Sequence, residues 1–247
     1  IERFLNLTGL DCENCSNIDH IQNLPNMTKL NAVFCGNLQV LQDLPRVIDV
    51  NCEECVHLSV VQNMQELRFL CVPRCPEIAV LANMPTLEKL NCSGSRRIQR
   101  ISRFPQLRKL NCSYCIQLKE ICENSCLEEL NCIGCEKVEC IPHIPTLKYL
   151  YCGNSAITVI PPLYELLSLD CIRCNISEIP VLPVLTTLNI CHCEKIREIP
   201  VINTLEYLSC GVCPRLIRIP KMSSLKMIFA PLCRSLTDVH EGIAMVY

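Results

Sequence analysis

The sequence predicts a mainly β solenoid with little helix. Three observations predict it: an apolar residue that recurs about every twenty positions, strand-like alternation beside that residue, and prolines that interrupt the remainder of each repeat. A short fixed period is typical of solenoids, in which each repeat buries its apolar side against its neighbours. The recurring residue falls into register twelve times in 247 residues, at Leu10, Leu30, Val50, Leu70, Leu90, Leu110, Leu130, Leu150, Leu169, Leu188, Leu208 and Ile228.

The strand of each repeat is predicted around this recurring residue, because the residue two positions later is also small or apolar. A spacing of two is the period of a β-strand. Stacked copies would form a parallel sheet of about twelve rungs, with neighbouring strands about 4.8 Å apart. We expect this sheet to form the concave face of the solenoid, with the residues on either side of the recurring position pointing outward.

The rest of each repeat carries prolines at two positions, which excludes a helix interior. We expect an extended or polyproline-like convex side. In the later repeats the first of these prolines follows an isoleucine, at Pro142, Pro161, Pro180, Pro200 and Pro220. The second position holds Pro25, Pro45, Pro85, Pro105, Pro145 and Pro183. The early repeats lack the first proline and have Gln22, Gln42 and Gln62 there.

The repeat predicts one solenoid domain over residues 1–239, followed by a C-terminal cap or stub over residues 240–247. Ile1, Phe4 and Leu7 match the end of a repeat, so the sequence begins inside one. An edge without a polar cap is expected to follow further protein or to be covered by another chain. Self-assembly through this N-terminal edge is therefore one expectation.

The repeat resembles the leucine-rich repeat family, in its short twenty-residue form. The resemblance rests on segments such as Ile141-Pro142-His143-Ile144-Pro145 and on the run from Leu185 and Leu188 to Ile199-Pro200. The Ile-Pro segments are similar to repeats of secreted bacterial effector proteins, and the cysteine-rich form resembles leucine-rich-repeat proteins of amoeba-infecting giant viruses. The resemblance implies a right-handed leucine-rich-repeat solenoid. Cysteine replaces the family's second strand leucine, and cysteine or serine replaces its turn asparagine.

The charge and the motifs favour a non-enzyme. The net charge is −2, so the sequence does not read as a general binder of nucleic acid or of anionic membranes. No apolar run is long enough to span a bilayer, and no signal peptide is visible. No nucleophile–base pair, phosphate-binding loop or carboxylate dyad stands out. No effector or ligase domain is appended, so the resemblance does not imply an enzymatic role. We expect neither catalytic residues nor a cofactor.

Cysteine is the compositional outlier, with 23 residues. Eight repeats have cysteine two positions after the recurring residue, and ten have it five positions after, where Ser95 and Ser155 are the exceptions. Serine indicates a small side chain that hydrogen-bonds the turn backbone. We expect buried, reduced, structural thiols, with metal clusters between rungs or disulfides as the alternatives. Among the five cysteines outside the two columns, Cys122 and Cys140 are the first candidates for a disulfide.

A metal site is not expected, because the five histidines occupy five different repeat positions and each rung supplies at most two cysteines. Reduced thiols favour an intracellular, reducing compartment, with a virion as an alternative location.

Two groups of outward strand residues are candidates for binding a partner protein. The aromatic group comprises Tyr149, Tyr151, Tyr207 and Phe229, with Met227 beside them. Exposed aromatic side chains and methionine are typical of protein interfaces, although Met227 and Phe229 would equally suit an end cap. The basic group comprises Lys89, Arg108 and Lys109, which lie near a run of arginines that contains no acid. That group would suit an acidic partner or form an ordinary solvated face.

A polar column follows the recurring residue directly, mostly asparagine or aspartate, and predicts either amides stacked along the sheet or the floor of a binding groove.

The sequence as a whole predicts an interaction scaffold that binds a protein through the concave sheet. A structural component of a larger assembly, such as a virus particle, is the alternative. Metal storage or redox buffering is less favoured, because the cysteines follow the repeat.

Overall fold

A computed structural model describes residues 4–239 and the strand Ala244–Val246. It is a parallel β-solenoid of about 11 turns with about 20 residues per turn, and the residues it describes form no helix. The predicted mainly β, parallel, helix-poor solenoid is therefore confirmed. The chain divides into two compact units, Ile1–Leu127 and Glu128–Tyr247. The predicted column of recurring residues occupies the centre of each main strand in both units.

The first unit carries a main sheet of parallel strands in sequence order. Each strand pairs with the strand twenty residues later, and the recurring residues are direct partners, as for Leu10 and Leu30. The strands are Gly9–Asp11, Lys29–Asn31, Asp49–Asn51, Phe69–Cys71, Lys89–Asn91 and Lys109–Asn111. The in-register pairing follows from the period, because any slip would turn the buried column outward.

The return leg of the first unit forms a second parallel sheet, which the sequence analysis did not predict. Its four strands are His20–Gln22, Val40–Gln42, Val60–Gln62 and Val80–Ala82. The strands Arg100–Ile101 and Glu120–Ile121 form a further pair. The return leg of these repeats is therefore extended, as expected, and its pairing into a sheet is the feature that was not predicted. Glutamine keeps the backbone N–H that a sheet needs and that proline lacks.

The second unit continues the same repeat. Its main strands are Glu129–Asn131, Tyr149–Tyr151, Ser168–Asp170, Thr187–Asn189, Tyr207–Ser209 and Met227–Phe229, and Ala244–Val246 pairs with the last of these. On the return leg, Cys140 and Val159 form only an isolated bridge, as do Glu198 and Arg218. One two-stranded pair, Arg218–Ile219 with Asp238–Val239, also forms there. Prolines after the isoleucine column account for the shorter pairing.

The two predicted ends of the chain lie largely outside the described residues. Ile1 is not described, so the predicted N-terminal edge stays an expectation. In the C-terminal segment, Ala244–Val246 adds a parallel strand, while residues 240–243 and 247 lie outside the description. No helix among the residues that the structure describes is long and apolar enough to cross a membrane.

The core of one turn consists of side chains that point inward at nearly every third residue. The intervening positions hold mostly polar and charged residues, together with outward apolar ones such as Phe34 and Val40. In the second turn these inward side chains are all at most 1% exposed: Leu30, Ala32, Cys35, Leu38, Leu41, Leu44 and Val47. Because consecutive turns repeat this pattern, the inward columns stack into a continuous core within each unit.

Backbone turns bend the repeats, and the first turn of a repeat contains a residue in the left-handed conformation, with a positive φ. In the second repeat the turns are closed by N–H···O bonds from Cys35 to Ala32 (3.3 Å), from Leu38 to Cys35 (3.0 Å) and from Val47 to Leu44 (3.2 Å). The residue before the cysteine column has a positive φ between 54° and 72° in twelve repeats: Asn14, Phe34, Glu54, Arg74, Gly94, Tyr114, Gly134, Asn154, Arg173, His192, Val212 and Leu232. Only two are glycines, so the fold imposes this conformation on side chains that disfavour it.

Candidate functional site

The predicted aromatic residues lie on the outward side of the main sheet in the second unit. Tyr149, Tyr207, Met227 and Phe229 are between 38% and 46% exposed, and Tyr151 is half-buried. We call these five side chains the aromatic face. Met227 lies directly beside Tyr207, and Phe229 lies beside Ser209, on adjacent strands. The sheet holds these side chains in fixed positions, so their exposure does not depend on a mobile loop.

The aromatic face has two clusters with a polar strip between them. Tyr149 and Tyr151 share one strand, and the cluster around Tyr207 begins three strands later, about 14 Å away at the usual strand spacing. The intervening strands present Ser168, Asp170, Thr187 and Asn189. The surface therefore offers two apolar anchor points separated by hydrogen-bonding groups, which is the composition of a protein interface.

The polar column directly after the recurring residue, mostly asparagine or aspartate, has a structural role in both units. The side chain of Asn31 donates to Asp11 Oδ1 at 3.1 Å, and that of Asn189 donates to Asp170 Oδ2 at 3.1 Å. The same column also closes turns, because Asn91 Oδ1 accepts from the backbone N–H of Ser93 at 3.2 Å. The contacts along the sheet thus run from asparagine to aspartate. The buried Oδ1 atoms of Asn31 and Asn51 accept no hydrogen bond among the described residues, so a ladder of amides does not run through them. The turn-closing contact two residues on is a familiar property of asparagine that the sequence analysis did not use.

The three basic candidates lie on the outward or flanking positions of the first unit and are exposed. Lys89 and Lys109 are direct neighbours on adjacent strands. The Lys89 Nζ atom lies 5.2 Å from the ring centroid of Phe69, and the Arg68 guanidinium lies 5.4 Å from the same centroid. Cations at this distance are attracted to an aromatic ring. Phe69 is thus covered by cations and is a weaker apolar anchor than the residues of the aromatic face.

The arginine run near these residues is matched by acids one turn away. Arg97 pairs with Glu77 at 2.6 Å, and Arg100 pairs with Glu120 at 3.4 Å. Arg103 lies 3.7 Å from Glu123. The run contains no acid along the sequence, but the twenty-residue period brings acids beside it. Three arginines of this run are therefore paired with acids on the folded surface.

The two cysteine columns form a regular hydrogen-bonded ladder in each unit. In eight repeats the thiol of the second-column cysteine donates to the carbonyl oxygen of the first-column residue one turn earlier. Representative Sγ···O distances are 3.0 Å from Cys35 to Cys12, 3.1 Å from Cys193 to Cys171 and 2.9 Å from Cys233 to Cys210. Ser95 makes the same bond to Val72 at 3.2 Å. The predicted small side chain that bonds the turn backbone is confirmed at these positions.

Several buried thiols of this ladder are poor nucleophiles, whereas hydrogen bonds to neighbouring cysteines lower the pKa of others, namely Cys55, Cys115 and Cys174. Burial raises the pKa of the Cys12, Cys75 and Cys213 thiols from 9.0 to about 12. The pKa of Cys132 is also raised well above its ordinary value, again by burial. A thiol must lose its proton to attack an electrophile or bind a metal. These four thiols therefore suit packing better than covalent chemistry at neutral pH.

All 23 cysteines carry free thiols, including Cys122 and Cys140. Cys140 is exposed, while Cys122 is half-buried and accepts a hydrogen bond from Arg100 Nε at 3.1 Å. Among the residues that the structure describes, no group of three or more His, Cys, Asp or Glu side chains is placed to hold a metal ion.

A second apolar surface lies on the return leg of the second unit and was missed by the sequence analysis. Tyr164, Val181 and Val201 are 57%, 71% and 62% exposed, and Pro162 and Pro183 are exposed beside them. We call these five residues the return-leg patch. The sequence indicates this patch by apolar residues directly before and after a buried residue, as Val181 and Pro183 lie before and after Leu182. The prolines predict the backbone conformation of this leg but not the exposure of its side chains.

The fold and the ladder define a cysteine-lined parallel β-solenoid with an aromatic face on its sheet. Comparison of the chain with protein-family models, with curated proteins and with solved structures finds no match.

Proposed function

We propose that this protein is a non-catalytic scaffold that binds a partner protein through the outward side of its main sheet. The exposed aromatic face is the observation that carries this proposal. Aromatic residues and methionine are enriched in protein interfaces and depleted from ordinary surfaces, because leaving them in water costs free energy. A partner that covers Tyr149 and Tyr207 would recover that free energy without any rearrangement of the sheet.

Two further features support a binding role over catalysis. The side chains between the clusters, such as Asp170, are already engaged in hydrogen bonds that hold neighbouring turns, so they are less available for proton transfer. Several inward thiols, such as Cys75 and Cys213, have raised pKa values, which disfavours nucleophilic attack by them. We also propose a reducing, intracellular compartment, because the cysteines follow the repeat as core residues.

The alternative function is that of a structural component of a larger assembly, such as a virus particle. The return-leg patch favours this alternative, because an apolar surface over several turns is typical of contacts between subunits. The two functions are not exclusive, since the aromatic face and the return-leg patch occupy different legs of the repeat.

Site-specific photo-crosslinking tests the scaffold function. A photoreactive phenylalanine analogue replaces Tyr149 or Tyr207 in cells that make the protein, and Tyr114 serves as the matched control because it is an exposed tyrosine on a turn. We expect Tyr149 and Tyr207 to crosslink to the same protein and Tyr114 to give no such product. Equal products at all three positions, or none at Tyr149 and Tyr207, would contradict a binding role for the aromatic face.

A further inference from the structure

We infer that Cys233 and Cys210 form a thiol–disulfide exchange site, at which a low-molecular-weight disulfide oxidises the two thiols to a reversible disulfide bond. Cys210 directly follows the strand Tyr207–Ser209, and Cys233 lies on the turn after the strand Met227–Phe229, one turn of the solenoid later. The Cys233 Sγ atom lies 2.9 Å from the carbonyl oxygen of Cys210. The side chain of Cys233 therefore rests against the earlier cysteine.

Access to solvent distinguishes this pair from the other cysteines of the ladder. Of the eight ladder thiols that donate to the preceding turn, seven are buried: Cys35, Cys55, Cys75, Cys115, Cys174, Cys193 and Cys213. Cys233 is the eighth and is only half-buried, while Cys210 is fully buried. A disulfide reagent reacts only with a sulfur that it can reach. The pair thus combines one accessible sulfur with one protected sulfur.

The two thiols contact each other and take different roles. The Cys210 thiol hydrogen-bonds to the Cys233 sulfur, which lowers the pKa of Cys233 from 9.0 to about 6. The same hydrogen bond, followed by burial, raises the pKa of Cys210. The thiolate is the attacking species in disulfide exchange. Cys233 is therefore the group that attacks the reagent, and Cys210 keeps its proton until its neighbour has reacted.

The oxidation consists of two exchanges. The Cys233 thiolate attacks one sulfur of the reagent, forms a mixed disulfide with it and releases the other half as a thiolate. The Cys210 sulfur then attacks the Cys233 sulfur, and its proton passes to the second half of the reagent, which leaves as a thiol. Two protein thiols are thus oxidised while one disulfide is reduced to two thiols. Because the sulfurs are already in contact, only a short approach separates them from an S–S bond of about 2.05 Å.

The bond would add a covalent link between the two turns that follow the last strands of the aromatic face. Tyr207 and Met227 are direct partners on these strands, and the Cys210 backbone N–H already donates to the Phe229 carbonyl oxygen at 2.8 Å. The inference does not rest on partner binding, because the exchange uses the turns beside the aromatic face and not the aromatic side chains.

Oxidation of the native full chain by glutathione disulfide tests the inference. Alkylation under denaturing conditions and mass spectrometry of unreduced peptides then identify each oxidised cysteine. The expected product is a peptide pair linked through Cys210 and Cys233, which returns to two thiols when glutathione is added. Cys171 and Cys193 are the matched control in the same unit, because Cys193 Sγ donates to the Cys171 carbonyl oxygen at 3.1 Å but both cysteines are buried. They should be oxidised about tenfold more slowly or less.

Two variants separate the two exchanges. Cys210→Ala should accumulate the mixed disulfide of Cys233 with glutathione, and the buried Ala32 shows that the same column accepts alanine. Cys233→Ser should leave Cys210 as a thiol. The inference would be overturned if Cys233 stayed reduced, if its mixed disulfide persisted in the unmodified chain, or if it bonded to Cys213 instead. Equal oxidation of the control pair would overturn it as well. Circular dichroism checks that each variant keeps its β structure.

Discussion

The Sγ atom of Cys75 lies 3.1 Å from the carbonyl oxygen of Cys52, one turn earlier in the solenoid. This contact joins consecutive turns through a side chain, at a point where the backbone bends away from the sheet. Without the thiol, this buried carbonyl oxygen would accept one hydrogen bond fewer. The thiol is therefore both part of the core and a link between neighbouring turns.

Replacing Cys75 by alanine should lower the free energy of unfolding by about 1–3 kcal/mol, because it removes a buried hydrogen bond and leaves a small cavity. Cys75→Ser should cost less, since the hydroxyl can donate to the same carbonyl as Ser95 does. Urea unfolding of both variants measures the difference. Cys15→Ala is the control, because Cys15 is in the same column but exposed. A serine variant no more stable than the alanine variant would show that the hydrogen bond contributes little.

The left-handed turn position offers a second test. Val212 has φ 58°, which is unfavourable for a β-branched residue, while Asn14 and Asn154 occupy the same position in other repeats. Val212→Asn should raise the free energy of unfolding by about 1 kcal/mol, because asparagine tolerates this conformation. Thermal unfolding measures the change. The same substitution at Val56, an exposed valine outside the positive-φ positions, should not stabilise the protein. Equal effects at the two positions would exclude relief of strain as the cause.

The period and the alternation of apolar residues were sufficient to predict the main sheet. Leu10 and Leu30 pair because a repeat of twenty with one buried column leaves a single register. The second sheet was not predicted, because prolines such as Pro142 dominated the interpretation of the return leg. Gln22 and Gln42 were seen only as exceptions, although the missing proline is what allows pairing there. The period therefore predicted the features that all repeats share, but not the differences between individual repeats.

The candidate sites were predicted only in part. Tyr149 and Tyr207 follow from alternation along a strand, which places them outward. The partners of the arginine run did not follow from the sequence, because Glu77 and Glu120 are far from it along the chain and adjacent only after stacking. The return-leg patch was missed for a different reason. Val181 and Val201 are apolar residues in an apolar-rich segment, and their exposure depends on which neighbour points inward.

Cys233 should be the thiol that reacts first at mildly acidic pH. In its protonated form it donates to the Cys210 carbonyl oxygen at 2.9 Å. Once it is deprotonated, the sulfur accepts a hydrogen bond from the Cys210 thiol and from the backbone N–H groups of Cys213 and Val212, which lowers the pKa of Cys233 from 9.0 to about 6. Its alkylation rate should rise as the pH passes through about 6 and change little above pH 8.

Alkylation of the native protein followed by peptide mass spectrometry measures this profile for each cysteine. Cys140 is the comparison within the same molecule, because it is an exposed thiol in the same unit. At pH 6.5 we expect Cys233 to be labelled before Cys140. Labelling of Cys140 first at that pH would contradict a lowered pKa at Cys233.

Alkaline pH should destabilise the solenoid through the buried thiols. Burial raises the pKa of Cys12, Cys75 and Cys213 from 9.0 to about 12, so the unfolded chain loses these protons at a lower pH than the folded chain. The stability that these thiols contribute is complete below about pH 9 and is lost as the pH rises toward 12. Thermal unfolding followed by circular dichroism should show the melting temperature falling above about pH 9. Lysine and tyrosine also titrate in this range, so Cys75→Ser is the necessary comparison, and its melting temperature should fall less steeply. Parallel curves for the two proteins would show that the buried thiol at this position is not a source of the alkaline sensitivity.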